Sequence, residues 1–190
     1  ATGAAGGGFV LRRQLSRGRD RLVAAVSARL GLGPAERGTT GRVEGVAVHV
    51  DHAGVVSAWF QHALDFDLSL VSRERSSAGR PVVVQGLVEI RALDPEVDDV
   101  FEIDCPDLSR LTRLLTRELR QTLMALSRQG RVRVSDKAVM VTTDGEVTEA
   151  WLDETASLVV RAARIADLAR RDVPPRRENE ALVAAFEHAS

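Results

Sequence analysis

The most reactive side-chain type in this 190-residue chain is a thiol, the single cysteine Cys105 within VFEIDCPDLSRL at positions 100–111. A thiol at a helix N-terminus can have a lowered pKa and act as a nucleophile. Glu102, Asp104 and Asp107 flank Cys105, however, and neighbouring carboxylates raise a thiol pKa. Pro106 and Asp107 are residue types that begin helices. We interpret Cys105 as a structural residue at a strand-to-helix corner and predict no catalytic residues.

A second candidate site combines imidazole and carboxylate groups, the usual ligands of a metal ion. His49 and Asp51 alternate with valines along one predicted strand, and Asp65 and Asp67 alternate with apolar residues along the next. If those strands pair, the four polar side chains share one face of the sheet. Their spacing matches no HExxH or EF-hand motif, and a solvated sheet face also requires polar residues. We predict no metal and no cofactor, and keep a metal-binding or enzymatic domain as an alternative.

Two groups of arginines have the arrangement of a partner-binding surface. One is a stripe on the central predicted helix, opposite its leucines: Arg110, Arg113, Arg117 and Arg120. The other is a cluster in the first predicted helix: Arg12, Arg13, Arg17, Arg19 and Arg21. Such stripes bind acidic surfaces or anionic lipids, although they are also the ordinary solvated face of an amphipathic helix. We therefore expect a protein partner or self-association, with a membrane surface as a further option for the first helix. A net charge of −1 and little aromatic interleaving argue against nucleic acid.

Composition indicates a globular protein without a disulfide. Apolar residues make up 44% of the chain and charged residues 28%, while a single cysteine excludes both an internal disulfide and a cysteine-based zinc site. Every basic residue except Lys137 is Arg, which together with abundant Ala, Val and Gly is typical of a GC-rich bacterial genome. No apolar run approaches the roughly 20 residues that span a bilayer. We expect a cytoplasmic protein, with an inner-membrane tether before Ala1 as an option.

The hydrophobic pattern predicts the elements that would position these residues. A helix is expected over residues 9–30, then a linker at 31–41, and strands at 41–50, 59–70 and 82–93, the last with a bulge at Gly86. Leucines from Leu108 to Leu126 recur at helical spacing and predict one central helix. A hairpin at 131–143 and an Ala-rich helix at 147–171 follow, before a short helical tail.

Two runs of strands separated by a helix predict the α+β class. We expect an antiparallel sheet of about five strands packed by helices, in the order α-βββ-α-ββ-α plus a C-terminal helix. Leu115, Leu119 and Leu123 should pack against Phe66 and Leu68. The expected segments are a flexible N-terminus with a basic amphipathic helix (1–38), an α+β domain (39–172) and a helical tail (173–190). The first segment should be separable and should contact the partner.

The stretch from about 41 to 171 resembles a bacterial domain family of unknown function that is often membrane- or envelope-associated. The similarity lies in GRVEGVAVHV, EVDDVFEID, LLTRELRQTLMAL, VRVSDKAVMVTT and LVVRAARIADLARR. It implies an α+β domain with a scaffold role. The element order is also similar to that of type III secretion chaperones, which are dimers that bind an effector segment. The leading hypothesis is a non-enzymatic protein-binding or scaffold domain, with a chaperone-like dimer as an alternative.

Overall fold

The computed structural model describes residues 7–73, 95–143 and 145–173, with side chains from residue 18 onward. The described helices are α1 (Gly7–Arg29), α2 (Pro95–Val100), α3 (Leu108–Leu114), α4 (Arg117–Gln129) and α5 (Glu149–Arg171). The described strands are β1 (Gly33–Ala35), β2 (Gly38–Val43), β3 (Val46–Asp51), β4 (Val55–Trp59), β5 (Ser69–Ser72), β6 (Phe101–Asp104), β7 (Arg131–Ser135) and β8 (Ala138–Thr142). The strand expected at 82–93, with its bulge at Gly86, and the tail expected after residue 173 lie outside these ranges.

The eight strands form one antiparallel sheet in the order β1-β2-β3-β4-β8-β7-β5-β6. The α+β prediction with an antiparallel sheet is confirmed, but the expected number of about five strands is too low. Residues 31–41, expected to be a linker, supply β1 and the start of β2. Glu44 and Gly45 join β2 to β3 with φ angles of 50° and 85°, the left-handed conformation that tight hairpins require.

The core lies between one face of this sheet and the helices. Val48 of β3, Ala58 of β4 and Val139 of β8 are cross-strand neighbours, and each is at most 1% exposed. Helix α5 packs over β3, β4 and β8, while α1 packs beside it over β2 and β3 and α4 over β7 and β8. The predicted hairpin at 131–143 is confirmed, with Val132 opposite Val141.

The segment expected to be separable, residues 1–38, contributes to this core. Val23 and Val26 of α1 are at most 1% exposed, and the Ser27 and Thr39 hydroxyls share a buried hydrogen bond. At the end of α1, Arg29 donates hydrogen bonds to Glu149 and Asp153 of α5. The described packing is therefore continuous across residue 38, because Val23 and Val26 in the second half of α1 lie in the same core as the sheet, and β1, although exposed, pairs with β2.

The single central helix expected from Leu108 to Leu126 is two helices. Helix α3 ends at Leu114, and α4 begins at Arg117 with Thr116 as its N-cap, whose hydroxyl accepts a hydrogen bond from the Leu119 N–H (3.2 Å). The Thr116 cap interrupts the helix but not the burial pattern, because Leu111 and Leu114 of α3 and Leu119, Leu123 and Leu126 of α4 are all buried. Leu108, at the start of α3, is 46% exposed. The predicted packing of Leu115, Leu119 and Leu123 against Leu68 is confirmed, since all four line one apolar cavity, but Phe66 does not line it, and both Phe66 and Leu68 belong to a loop rather than to a strand.

Residues 60–68 form a loop in place of most of the strand expected at 59–70. Burial alternates as expected, with Leu64, Phe66 and Leu68 buried and Asp65 and Asp67 exposed, but β4 ends before the loop and β5 begins after it. The two aspartates have φ angles of 56° and 52°, which are left-handed and incompatible with a strand. The period-2 pattern therefore correctly predicts which side chains are buried and wrongly predicts the backbone.

The carboxylate of Asp136, in the β7–β8 turn, explains the conformation of this loop. It accepts hydrogen bonds from the backbone N–H groups of Phe66 (3.2 Å), Asp67 (2.9 Å) and Leu68 (3.0 Å). In a strand, successive N–H groups point to opposite sides, whereas left-handed residues turn several of them toward a single anion. The Asp136 carboxylate thus provides the hydrogen-bond acceptors that a neighbouring strand would otherwise provide for these amides.

Candidate functional site

Cys105 is buried and is held by the chain around it. It is fully buried, and its Sγ lies 3.7 Å from the carbonyl oxygen of Phe66 and 3.6 Å from that of Asp107. Burial raises the pKa of the Cys105 thiol above its ordinary value, since the charged thiolate loses its solvation. The Asp107 side chain caps α3 by accepting the Arg110 N–H (3.0 Å). These features match a structural residue at a strand-to-helix corner.

We expect native Cys105 to react with a thiol-specific reagent at pH 8 about 100-fold more slowly than in the urea-unfolded chain, because reaction requires local opening and a disfavoured thiolate. The rate of disulfide exchange with a chromogenic aryl disulfide measures this. A Ser157→Cys change in a Cys105→Ala background places the thiol on the exposed side of α5 and should react at the unfolded rate. Equal rates for native and unfolded Cys105 would contradict the interpretation.

The four residues of the alternative metal site do not come together. β3 pairs with β4, so His49 lies opposite Ser57, and Asp65 and Asp67 belong to the loop beyond β4. The Asp51 carboxylate accepts the Ala53 N–H in the β3–β4 turn (2.5 Å). Within residues 7–73, 95–143 and 145–173, no three His, Cys, Asp or Glu side chains are grouped as a metal site requires. The pairing on which that alternative depended is therefore wrong.

The predicted arginine stripe of the central helix is not a single surface. Arg110 is only 7% exposed, donates from Nη1 to the Asp65 carbonyl oxygen (2.9 Å) and lies 4.2 Å from the centroid of the Phe66 ring. This corrects the expectation that it contacts a partner, because its guanidinium holds the 60–68 loop against α3. Arg113 and Arg117 are exposed on two different helices, and Arg120 is half-buried. In α1, Arg19 is half-buried and Arg21 exposed, while the side chains of Arg12, Arg13 and Arg17 lie outside the described part.

A second candidate surface is the sheet face opposite α1, α4 and α5, which we call the open face. Its side chains alternate with the buried ones along β3, β7 and β8, whereas on β4 the Ser57 side chain of this face is only 7% exposed. From the β2 side to the β6 side it carries Thr40, Arg42, Ala47, His49, Asp51, Val55, Ser57, Trp59, Thr142, Met140, Ala138, Arg131, Arg133, Ser135, Ser69, Val71, Glu102 and Asp104.

The three central strands give the open face an apolar strip, which we define as Ala47, Val55, Trp59, Ala138 and Met140. Trp59 is 40% exposed, and its cross-strand neighbours on both sides are alanines, Ala47 on β3 and Ala138 on β8. Short neighbours leave the indole ring uncovered, apart from the His49 ring at a centroid distance of 6.4 Å. An exposed tryptophan within an apolar patch is typical of an interaction site.

Arginines border the apolar strip on both sides. Arg42 on β2 lies opposite Ala47, and Arg133 on β7 lies opposite Met140; both are exposed. Neither has a carboxylate within 4 Å among the described residues. In the helical layer, by contrast, Arg29, Arg161, Arg164 and Arg170 each pair with a carboxylate. The open face therefore presents an apolar centre and two cations that the described chain leaves without an ion pair.

The apolar cavity beneath the helices is too small to be a ligand-binding site. It lies among the 60–68 loop, α3, α4, α5 and strands β5, β7 and β8, and measures about 10 Å³. Every residue that lines it is apolar, and a space of that size holds about one water molecule. It is an imperfection in core packing, with consequences for stability rather than for ligands.

Trp59, Ala47 and Ala138 are not among the residues that the sequence predicts to be functional, although the pattern around Trp59 indicates a strand. Val55, Ser57 and Trp59 alternate with Val56 and Ala58 directly after the DHAG turn, as in a strand with one buried face. The strand was expected to begin at 59, which placed Trp59 at its first residue. With β4 at 55–59, Trp59 lies at the last residue and on the solvated side.

Comparison with known proteins gives one structural likeness. The chain matches no protein-family model, and no curated protein sequence is significantly similar to it. A crystal structure of the mycobacterial trehalose monomycolate transport factor A, TtfA, aligns with a TM-score of 0.47 and 15% identity, over 87% of this chain and 99% of that one. Among the helices of the described ranges, none combines the length and the apolar character needed to cross a membrane.

Proposed function

We propose that this protein is a non-enzymatic binding or scaffold domain that recognises a protein partner through its open face. The observation that carries the proposal is Trp59, 40% exposed between two alanines at the end of β4, an inner strand of an eight-stranded sheet. Tryptophan is among the side chains that contribute most to association when they are buried at an interface. The helices α1, α4 and α5 pack on the opposite face of the sheet and leave this one available.

The interior supports a binding role rather than catalysis. Cys105 is buried with a raised pKa, and the carboxylates of Asp136 and Asp107 accept backbone amides of the 60–68 loop and of α3. These groups are used to hold the fold. On the open face, His49 contacts the Trp59 ring and Asp51 caps a turn. The first-helix arginines would be a secondary contact, since α1 packs over β2 and β3 in the helical layer and not on the open face.

Position-specific photo-crosslinking in the cells that carry this gene tests the proposal. A benzophenone amino acid at Ala138, within the apolar strip, should give discrete protein adducts that Trp59→Ala removes. The same amino acid at Ser157, exposed on the outer side of α5, is the matched control and should give none of those adducts. Adducts that are identical from both positions, or that persist in the Trp59→Ala protein, would overturn binding through the open face.

A further inference from the structure

Building on the proposed binding role, we infer that the apolar strip receives one amphipathic α-helix of a partner protein, with carboxylates along both of its flanks. The occupant is specified by three properties of the surface: the width of the strip, the position of its cations and the shape around Trp59. Each of these follows from the register of the central strands.

The strip has the width of one helix. It occupies β3, β4 and β8, and two strand spacings of 4.7–4.9 Å make it about 10 Å wide. An α-helix with its side chains is about 10–12 Å in diameter. Along β4, the apolar side chains of Val55 and Trp59 are four residues apart, about 13 Å, which is about two and a half turns of a helix, and the Ser57 between them is small and only 7% exposed. The other open-face positions of these strands are polar: His49, Asp51 and Thr142. A second sheet would instead require apolar side chains continuing onto β2 and β7, where arginines stand.

The cations stand where the flanks of such a helix would lie. Arg42 on β2 and Arg133 on β7 are four strand spacings apart, about 19 Å, one on each side of the strip. Glutamates on the two sides of a docked helix would reach them. The described carboxylates of the open face lie away from both arginines or are engaged elsewhere, because Asp51 caps a turn and Glu102 and Asp104 are on β6, two strands beyond Arg133. An acidic helix is therefore favoured over a basic one.

The alternation of large and small side chains in the strip is complementary to the side chains on one face of a helix. Trp59 lies between Ala47 and Ala138, so the two short side chains leave a shallow groove on each side of the indole ring, one on β3 that His49 closes on the same face and one on β8. Met140, two residues from Ala138 on the same face, bounds the β8 groove with a flexible apolar side chain. Leucines three and four residues apart on one helical face would straddle the indole ring and fill both grooves.

A display selection on the full chain tests the inference. The probes are side-chain-bridged helical peptides of about four turns with a fixed leucine stripe and flanks varied between Glu and Lys. Glu-flanked peptides should be enriched about tenfold over Lys-flanked ones, and the Arg42→Glu/Arg133→Glu protein should reverse the preference. The Arg113→Glu/Arg171→Glu protein carries the same charge change on the helical layer and should keep the original preference. Trp59→Ala should lower the affinity of the protein for the selected peptide about tenfold.

Ala138→Arg adds bulk to the strip without removing the tryptophan, and it should weaken binding of the same peptide. It replaces Trp59→Ala in the test if the Trp59→Ala protein does not fold. No enrichment, or a preference that the charge reversal leaves unchanged, overturns the inference. Self-association of the full chain that Trp59→Ala abolishes would assign the strip to a second copy instead. Peptide binding only by a chain ending at residue 173 would assign it to residues 174–190. If the benzophenone at Ala138 still gives the protein adducts while the peptide selection fails, the proposed binding role stands and only the inferred helical occupant is wrong.

Discussion

Leu123→Ala is expected to lower the free energy of unfolding by about 3–5 kcal/mol. Leu123 is 2% exposed on α4 and lines the apolar cavity with Leu68, Val134 and Ala162. Removing its side chain enlarges a void that the packing already fails to fill, and α4 cannot collapse into it because α5 and β7 are in contact with it on the other sides. The cost should therefore fall in the upper part of the range for leucine-to-alanine changes.

Urea-induced unfolding of the full chain, followed by circular dichroism, measures the loss. Leu168→Ala makes the same chemical change on α5 at a side chain that is 56% exposed, and it should change stability by less than about 0.5 kcal/mol. A loss below about 1 kcal/mol for Leu123→Ala would mean that α4 does not pack on the sheet as the structure has it.

Asp136→Ala is the second large expected effect, with a loss of about 3 kcal/mol. The change removes the acceptor of three backbone N–H groups, those of Phe66, Asp67 and Leu68, and leaves the two partly buried ones without a partner. The 60–68 loop should detach, which also exposes Leu64 and Phe66. Hydrogen bonds to a charged acceptor are among the stronger ones in proteins, and their simultaneous loss explains the size of the effect.

Hydrogen exchange distinguishes loop detachment from general weakening. In the Asp136→Ala protein, the amides of residues 66–68 should lose protection under conditions where those of β3 and β4 retain it. Asp167→Ala is the matched control, because that carboxylate accepts only the Gln61 N–H, at 3.0 Å, and its loss should cost about 1 kcal/mol. Equal stability of the two variants would show that Asp136 does not organise the loop.

The amino-acid sequence by itself determined the features that depend on neighbouring residues along the chain. Alternating valines in β3, β7 and β8 decide which side chains enter the core, since successive residues of a strand point to opposite faces. The Ala-rich stretch forms α5, with Thr148 as its N-cap. The carboxylates and Pro106 around Cys105 indicate a helix start rather than an active site. All of this information lies within a few residues of the position it concerns.

The tertiary structure decided what depends on residues far apart in the chain. Asp136 holds amides 68 to 70 positions earlier, so a stretch with a strand pattern becomes a loop. Val23 and Val26 belong to a helix that the sequence predicts to be separable, but they are buried in the same core as the valines of β3. The surface proposed for binding depends on the order β3-β4-β8, which places Trp59 between Ala47 and Ala138. Periodicity predicts that a side chain faces solvent, but only strand pairing brings its neighbours beside it, because pairing is a contact between segments that the local pattern does not specify.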